Sequence, residues 1–403
     1  MNRKIFVLCF AACVFTSVIF CKDVSDEVQN IVNANNRFAV NFYNEIAKDG
    51  NNNLFFSPFS IINAFAMAYE GATGKTANEI KSTLFLPAKD NQRLSGFQSL
   101  HNQINQKKSD CILSIANAYW VQNNFALKKN YVETIEKFYH GEACNLDFKR
   151  NPQHAVNRIN NWAEEKTKGK IKKFLNYGDV DSGTRLVLTN AIYFKALWQT
   201  QFNKNLTEPA DFRINENNVI KAQMMHLKDT EFPYAETDNF QVLKIPYGCN
   251  NLSMLIILPR TLNEEMVKEI DYEKIMEMQK LLTKQKIDIF IPKFKIEQTY
   301  DLINPLRNLG IRTAFDPVAA DFSKITGSKN LYISKAIQKS FIEVTEEGTE
   351  AAAATGIVMN ITAARPGVKK VFVADHPFIF LIIEEKSNLV LFVGRISKPQ
   401  VNS

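Results

Sequence analysis

The side chains best suited to chemistry do not fall into a catalytic motif in this sequence. Gly71-Ala-Thr-Gly74-Lys75-Thr76 has the end of a phosphate-binding loop, but that motif also needs a glycine five residues before Gly74, where the chain has Tyr69. There is no Gly-x-Ser-x-Gly elbow and no Gly-x-Gly-x-x-Gly loop. The five histidines show neither His-Glu-x-x-His spacing nor close pairing: His101, His140, His154, His226 and His376. We therefore expect no enzyme activity, no catalytic residue and no metal site.

Hydrophobic spacing places helices in the first part of the chain. Apolar residues recur there at the helical interval of three or four positions: Val28, Ile31, Val32, Phe38, Phe42 and Ile46. A second apolar helix is predicted from Ile61 to Tyr69, after a turn at Ser57-Pro58. Gly71–Thr76 is then interpreted as a turn between two helices.

Later segments have the character of strands. Apolar runs without turn residues predict strands buried on both faces: Arg185–Phe194, Leu252–Leu258 and Val371–Val373. Phe378–Ile383 and Leu389–Val393 flank a polar turn and predict a hairpin. Helices early and sheets late indicate an α+β fold. With no linker or repeat to divide the chain, we expect one domain over residues 22–403.

The segment Glu346–Gly367 joins two strand patterns but is not an ordinary loop. It is about 20 residues long, against a usual loop of about five, and it has few turn formers. Alternate residues form an uncharged face, small first and larger later: Thr349, Ala351, Ala353, Thr355, Ile357, Met359 and Ile361. This amphipathic pattern predicts a segment that is loop in one state and strand in another. Glu350–Ala354 is also a strong helix former, so a short helix in the free state stays open.

The N-terminus has the organisation of a signal peptide. Arg3 and Lys4 precede an apolar run from Ile5 to Phe20, and the chain then turns polar. The run is shorter than the roughly 20 apolar residues of a membrane anchor. We expect cleavage after Cys21, which removes residues 1–21 and leaves a secreted, extracellular protein without a membrane segment.

Charge and cysteine content exclude several classes of protein. Loss of Arg3 and Lys4 lowers the formal net charge from +7 to +5, which does not suggest a nucleic-acid partner. The densest basic cluster is interpreted as a solvated helix end rather than a polyanion site: Lys166, Lys168, Lys170, Lys172 and Lys173. After cleavage, three widely spaced cysteines remain, too few for a disulfide framework: Cys111, Cys144 and Cys249. Buried free thiols are the preferred interpretation, and a Cys111–Cys144 bridge stays open.

Secretion makes three Asn-x-Ser/Thr sites candidates for N-glycosylation. They begin at Asn205, Asn251 and Asn360. The sequence does not rank them.

Four segments, in the right order and spacing, resemble the serpin family of serine protease inhibitors, and the resemblance covers Phe38 to Pro399. The segments are Leu54–Ile61, Thr189–Trp198, Phe341–Thr355 and Ala374–Phe380. The resemblance implies a serpin fold with three β-sheets, eight or nine helices and an exposed reactive-centre loop at about 346–367. It also implies a monomer that forms a covalent complex with a serine protease. The cleaved loop would enter the main sheet as a new strand and drag the protease with it.

The resemblance also assigns site residues. The hinge of the loop would comprise Glu346, Glu347, Gly348, Thr349, Glu350, Ala351, Ala352, Ala353 and Ala354. A shutter under the sheet would comprise Ser57, Ser60, Asn190 and Gln338. Serpins commonly place a histidine at the position of Gln338, bonded to groups that match Asn190 and Ser57. Glutamine both donates and accepts hydrogen bonds, so these contacts can form without the histidine.

Two functions within the family compete: protease inhibitor, and non-inhibitory carrier, chaperone or storage protein. Small, uncharged hinge residues favour inhibition, because bulky ones would stall entry of the loop into the sheet. In inhibitory members the cleaved bond usually lies fourteen residues beyond the hinge glycine, which indicates Thr362–Ala363. Bonds after Ile361 or Ala363 stay open, whereas Pro366 would hinder cleavage after Arg365. A small residue before the bond suggests an elastase-like target. No cofactor is expected, apart from a heparin-like glycosaminoglycan as a candidate activator and partner.

Overall fold

Helices dominate the first part of the chain, as predicted. A computed structural model describes residues 24–104, 111–249, 251–262, 265–268, 271–349 and 370–400. The α-helices of these residues are α1 (Asp26–Ile46), α2 (Pro58–Gly71), α3 (Gly74–Thr83), α4 (Asp90–Ile104), α5 (Lys129–Tyr139), α6 (Pro152–Lys166), α7 (Glu265–Lys268), α8 (Tyr272–Lys280), α9 (Ile303–Leu309) and α10 (Ser323–Thr326). Eight of these ten span seven residues or more, in agreement with the expected eight or nine. Among the described residues, none of these helices has the length and apolar character needed to cross a membrane.

The predicted helices begin at capping residues. The Ser25 hydroxyl accepts a hydrogen bond from the backbone N–H of Val28 at the start of α1, and all six predicted apolar positions of this helix are buried. Ser57 caps α2 in the same way, bonding the N–H of Ser60 at 3.3 Å. Each cap satisfies a backbone donor that the first helical turn leaves free. The predicted turn between helices is confirmed, since α2 ends at Gly71 and α3 begins at Gly74.

Fifteen strands lie in the described residues. They are β1 (Leu54–Phe56), β2 (Cys111–Gln122), β3 (Glu142–Leu146), β4 (Leu186–Leu197), β5 (Glu208–Asn215), β6 (Asn218–Glu236), β7 (Phe240–Pro246), β8 (Leu252–Pro259), β9 (Thr283–Pro292), β10 (Phe294–Asp301), β11 (Ile333–Val344), β12 (Gly348–Thr349), β13 (Lys370–Val373), β14 (Phe378–Glu384) and β15 (Leu389–Ile396). The predicted buried strands at β4 and β8 and the predicted hairpin of β14 and β15 are confirmed.

The strands form the three expected sheets. A six-stranded sheet has the order β10-β11-β12-β4-β2-β3. The other strands are connected through the long strand β6, which pairs with β5 at its start, with β9 along its middle and with β7 at its end. One part of this assembly is β1-β15-β14-β8-β7-β6 and the other comprises β5, β6, β9 and β13. These two parts are the second and third sheets.

Both faces of the six-stranded sheet are covered at β4. On its inner face, Leu186, Leu188 and Ile192 belong to the main core. On its outer face, α6 covers a smaller core in which Trp162 packs edge-on against Trp120, with ring centroids 5.6 Å apart. A strand buried on two faces needs apolar residues at consecutive positions, which explains the unbroken apolar run of β4.

The predicted burial of Val371–Val373 on both faces is wrong. The segment does form a strand, β13, but this strand pairs only with β9, at the edge of its sheet. Val371 is 41% exposed, whereas Phe372 is buried. Successive side chains of a strand point to opposite faces, and at this edge only one face is covered.

The preferred prediction of free thiols is confirmed for Cys144 but wrong for Cys111 and Cys249, and the alternative Cys111–Cys144 bridge is wrong as well. Cys111 forms a disulfide with Cys249, 138 residues later, with Cα atoms 5.7 Å apart. Cys144 is a half-buried free thiol. In the pairing of β2 with β3, Cys144 lies opposite Trp120, nine positions along β2 from Cys111. At about 3.3 Å per residue that offset is roughly 30 Å, so Cys111 and Cys144 cannot be bridged.

Candidate functional site

The six-stranded sheet divides between β11 and β4. These strands are parallel neighbours from Ile333 opposite Leu186 as far as Phe341 opposite Tyr193. Beyond that point β12 lies between them and pairs with both. We call the place where β11 and β4 separate the fork. A segment that follows Thr349 along the chain would enter the sheet at the fork.

The backbone of Gly348 approaches β4 so closely that only glycine fits. A Cβ atom at this position would lie 2.1 Å from the carbonyl oxygen of Ala196 and 2.6 Å from the Cα of Leu197. Gly348 and Thr349 pair with these same two residues in the register of β12 with β4. Glycine is therefore required for the hinge to lie inside the fork.

Thr349 is fully buried in the fork and points toward the core. Its hydroxyl and that of Tyr247 are hydrogen-bonded at 2.8 Å. The Tyr247 ring stacks on Trp198 with centroids 4.6 Å apart, and the Trp198 indole N–H donates to the carbonyl of Thr345 at 3.0 Å. Thr349 thus lies on the face that the alternating pattern predicts to be buried.

Two buried carboxylates of the predicted hinge are held by bases from other elements. Glu346 is 4% exposed and bonds the Lys293 ammonium at 2.9 Å and the Thr207 hydroxyl at 2.8 Å. Glu347 is 5% exposed and pairs with Lys204. Burial opposes ionisation of both carboxyls, but the hydrogen bonds outweigh it and hold the pKa of each below its usual value. Both carboxylates are therefore charged at neutral pH and fix the start of the hinge.

The predicted shutter residues are in contact. The Gln338 side-chain oxygen accepts from the backbone N–H of Ser57 at 3.1 Å, and its amide donates to the Ser57 carbonyl at 3.0 Å and to Asn190 at 2.8 Å. The Asn190 amide donates in turn to Ser60 and to Asn117. These bonds connect β11, β4, β2 and the start of α2. The glutamine thus makes the contacts expected of the family's histidine, while the role of this cluster as a shutter stays a prediction.

Five residues of this site were not predicted from the sequence. Asn117 lies opposite Asn190 in the register of β2 with β4, and the others come from segments far from the hinge: Lys204, Thr207, Tyr247 and Lys293. Their spacing along the chain carries no common pattern. The one available signal was the pair of acidic residues before Gly348, which need partners if they are buried.

Some predicted site residues lie outside the described residues. These are Glu350, Ala351, Ala352, Ala353, Ala354, Asn360, Thr362 and Ala363, together with the signal peptide. Of the other two glycosylation candidates, Asn205 is exposed on a 3-10 turn (Lys204–Leu206), and Asn251 is half-buried in the turn before β8.

The basic cluster lies where a helix ends. Helix α6 ends at Lys166, which pairs with Glu142. The other four members follow in an irregular segment and are exposed: Lys168, Lys170, Lys172 and Lys173. This placement agrees with the interpretation as a solvated helix end.

A family model described as serpin, serine protease inhibitor, matches residues 33–399. The chain belongs to the serpin family. Its relatives include an uncharacterised serpin-like protein of Thermococcus kodakarensis, 43% identical over 94% of this chain and 88% of that protein. The leukocyte elastase inhibitor of Bos taurus is 39% identical over 91% of this chain and 98% of that protein.

Solved structures with the same fold include serpins of different activities. Serpin48 of the insect Tenebrio molitor, described as highly specific, has a TM-score of 0.83 and 32% identity, covering 94% of this serpin and all of that chain. Human thyroxine-binding globulin has a TM-score of 0.85 and 30% identity over 93% of this serpin and all of that chain. Protease nexin-1 with heparin has a TM-score of 0.83 and 29% identity over 92% of this serpin and all of that chain. Membership of the family therefore does not distinguish an inhibitor from a carrier, and the distinction must rest on the site residues.

Proposed function

We propose that this serpin is a monomeric inhibitor that traps serine proteases by inserting its cleaved reactive loop at the fork. The observation that carries the proposal is the pairing of Gly348 and Thr349 between β11 and β4, which starts the new strand before any cleavage. The next residue, Glu350, falls on the outward face of the alternating pattern, and the four residues after it are small, Ala351 to Ala354. Continued pairing would replace the direct bonds between β11 and β4 by bonds of the new strand to both neighbours, and this net gain of backbone hydrogen bonds favours insertion.

The test is a charge at the first buried hinge position. Thr349→Arg should leave the fold intact but convert the inhibitor into a substrate, because an unpaired buried charge blocks entry. Thr349→Ser, which keeps the hydroxyl that meets Tyr247, is the matched control and should remain inhibitory. The measurement is the ratio of SDS-resistant complex to cleaved serpin. Undiminished complex formation by Thr349→Arg would refute insertion as the mechanism.

We propose Thr362–Ala363 as the cleaved bond and an elastase-like enzyme as the target. A small residue before the bond suits a shallow apolar primary pocket, and one relative is named for elastase inhibition. Mass spectrometry of the peptide released by elastase identifies the bond. Exclusive complex formation with a trypsin-like enzyme, with cleavage after Arg365, would contradict this choice.

Secretion is proposed on the basis of residues 1–21 and supported by the Cys111–Cys249 disulfide. Disulfides form and persist mainly in oxidising compartments, such as the secretory pathway. Expression in a secretory eukaryotic host should yield a protein in the culture medium whose first residue is Lys22. Mass spectrometry of the same material would show whether Asn205, Asn251 and Asn360 carry glycans. Retention of the full chain in the cytosol would contradict secretion.

The carrier alternative draws support from the similarity to thyroxine-binding globulin. A carrier needs a cavity of about 300–1,000 Å³ for a drug-sized ligand. An apolar cavity of this serpin, between α1, α8 and the second sheet, is lined by Val40, Ile275 and Val393 among others and has a volume of about 10 Å³. That cavity is too small for such a ligand. A larger cavity of about 470 Å³, lined by Glu45, Lys48 and Arg312 among others, is mainly polar, whereas a drug-sized ligand needs a mainly apolar lining. These two cavities therefore give the carrier alternative no support.

A heparin-like polyanion is proposed as an activator, without any other cofactor. Although the place of these lysines at a helix end agrees with simple solvation, the exposed lysines after α6 are the candidate contact for its sulfates, and protease nexin-1 was solved with heparin. The test is the rate of protease trapping with and without heparin, in the wild type and in a variant with Lys168, Lys170, Lys172 and Lys173 changed to Gln. Equal rates in all four measurements would exclude activation at this cluster.

A further inference from the structure

The Cys111–Cys249 disulfide lies in the same row of the sheet as the first hinge residue inserted at the fork. Cys111 pairs with Ala196 in β4, Ala196 pairs with Thr349, and Thr349 pairs with Val344 in β11. Val344 also pairs with Phe294 of β10, so five strands cross one row, which we call the entry row. The disulfide ties the outer end of this row to the turn between β7 and β8.

That turn also holds the hinge. Tyr247 bonds the Thr349 hydroxyl at 2.8 Å and lies two residues before Cys249. The N–H of Gly248 donates to the Leu197 carbonyl of β4 at 2.8 Å. A single short turn thus contacts the inserted threonine, the end of β4 and, through the disulfide, the start of β2.

Insertion moves the sheet below the entry row but not at it. At the level of Phe341 and Tyr193, β11 and β4 are direct neighbours and must separate by one strand spacing, about 4.8 Å. At the entry row β12 already occupies that space. Because β2 pairs with β4 from Cys111–Ala196 to Val121–Leu186, the two strands move together. The disulfide at the entry row therefore lets β11 and β4 separate below this row while the row itself stays in place.

We propose that the Cys111–Cys249 disulfide is a positioning brace of the entry row. It keeps Thr349 paired with Ala196 and Tyr247, so that the cleaved loop enters the fork before the acyl-enzyme is hydrolysed. This inference rests on the proposed function of trapping by loop insertion. Without the brace the hinge leaves the entry row more often, and a larger share of encounters ends with cleaved serpin and free protease.

The brace is open to control by thiols. Residue Cys111 is half-buried and Cys249 only 3% exposed, so Cys111 is the more accessible sulfur. A dithiol reductant attacks as the thiolate, forms a mixed disulfide with one cysteine and then closes on itself. The products are the two protein thiols and the cyclic disulfide of the reductant, so the two electrons that the protein gains come from the dithiol.

The experiment compares three forms of the mature serpin, all with Cys144→Ser so that no third thiol exchanges. They are the intact disulfide form, the variant with Cys111→Ser and Cys249→Ser, and the disulfide form after reduction by dithiothreitol, removal of the reductant and reoxidation. The measurement is the number of serpin molecules consumed per pancreatic elastase molecule trapped. We expect a rise of about threefold or more in the serine variant, the effect of weakening one neutral hydrogen bond at the hinge. The reoxidised form should match the intact form, which shows that passage through the reduced state does no lasting damage.

A second readout separates failure of the brace from failure of the proposed function. After loop cleavage by any endoprotease, the inserted form is followed as the fraction that resists unfolding in urea. The brace predicts slower appearance of this fraction in the serine variant. If the intact form is cleaved without trapping any protease, the proposed function is contradicted. The rate at which the urea-resistant fraction appears then still tests the brace. Equal rates of insertion in the intact and serine forms would overturn the brace. Normal trapping of elastase by the serine variant would overturn it as well.

Discussion

At the scale of single residues, substitution of Gln338 tests how much the predicted shutter residues under the fork contribute to stability. Gln338→Ala leaves the backbone groups of Ser57 and the side-chain oxygen of Asn190 without this partner in a buried site. We expect a loss of about 1–3 kcal/mol in the free energy of unfolding. Gln338→His, the residue common in the family, is the control and should lose less. The urea midpoint of the native state measures both, and a wild-type midpoint for Gln338→Ala would contradict the expectation.

A second residue-scale prediction concerns acid stability. Burial, with a smaller effect of the neighbouring His140, lowers the pKa of His101 to about 3. Its N–H bonds Asn63 at 2.9 Å, so the folded state holds a neutral ring. Below the ordinary pKa of 6.5 the unfolded chain binds a proton that the folded chain does not. The free energy of unfolding should therefore fall as the pH drops from 6.5 toward 3, by up to about 1.4 kcal/mol per pH unit.

The measurement is the urea midpoint between pH 7.5 and 4.5. His101→Gln cannot titrate at this position and should lose the part of the slope that His101 contributes. His140→Gln, which changes the exposed histidine whose ring stacks on His101, should keep most of this slope, because burial is the larger cause of the lowered pKa of His101. Parallel curves for the wild type and His101→Gln would show that His101 does not couple folding to pH.

At the scale of an element, the two-residue strand β12 depends on Gly348. Gly348→Ala places a Cβ atom against the backbone of Ala196 and should expel the hinge from the fork while the rest of the sheet stays intact. We expect more cleaved serpin and less complex per encounter with elastase. Gly248→Ala is the matched control in the adjacent turn, since its Cβ would lie 3.7 Å from the nearest atom. If both variants inhibit like the wild type, pairing of β12 before cleavage does not matter for trapping.

At the scale of the whole molecule, loop cleavage should raise the Tm sharply. An inserted segment of about 14 residues, at about 3.3 Å each, adds a strand roughly 45 Å long to the sheet. Its inward face includes Ile357, Met359 and Ile361, whose burial contributes on the order of 5–9 kcal/mol before entropy costs. Calorimetry before and after complete cleavage measures the change. The Thr349→Arg variant is the control and should show a much smaller rise, and an unchanged wild-type Tm would argue against insertion.

Local patterns of the sequence were sufficient to predict several helices and buried strands. Helix α1 and the double-faced strand β4 follow from the interval at which apolar residues recur, because neighbours along the chain determine which face of an element can be buried. The sequence also indicated the shutter residues, but only through the family resemblance. Val371 shows the limit, since the same apolar character occurs in a strand at the edge of a sheet.

Tertiary structure alone decided which distant residues meet. Cys111 pairs with Cys249 because the start of β2 and the turn after β7 both lie against the end of β4, and no spacing along the chain expresses that. The partners of the hinge carboxylates, Lys293 and Lys204, belong to other strands and turns for the same reason. The sequence by itself predicts a segment able to be loop or strand. Where that segment enters the sheet, and what holds its first residues there, depends on the packing of elements that are far apart in the chain.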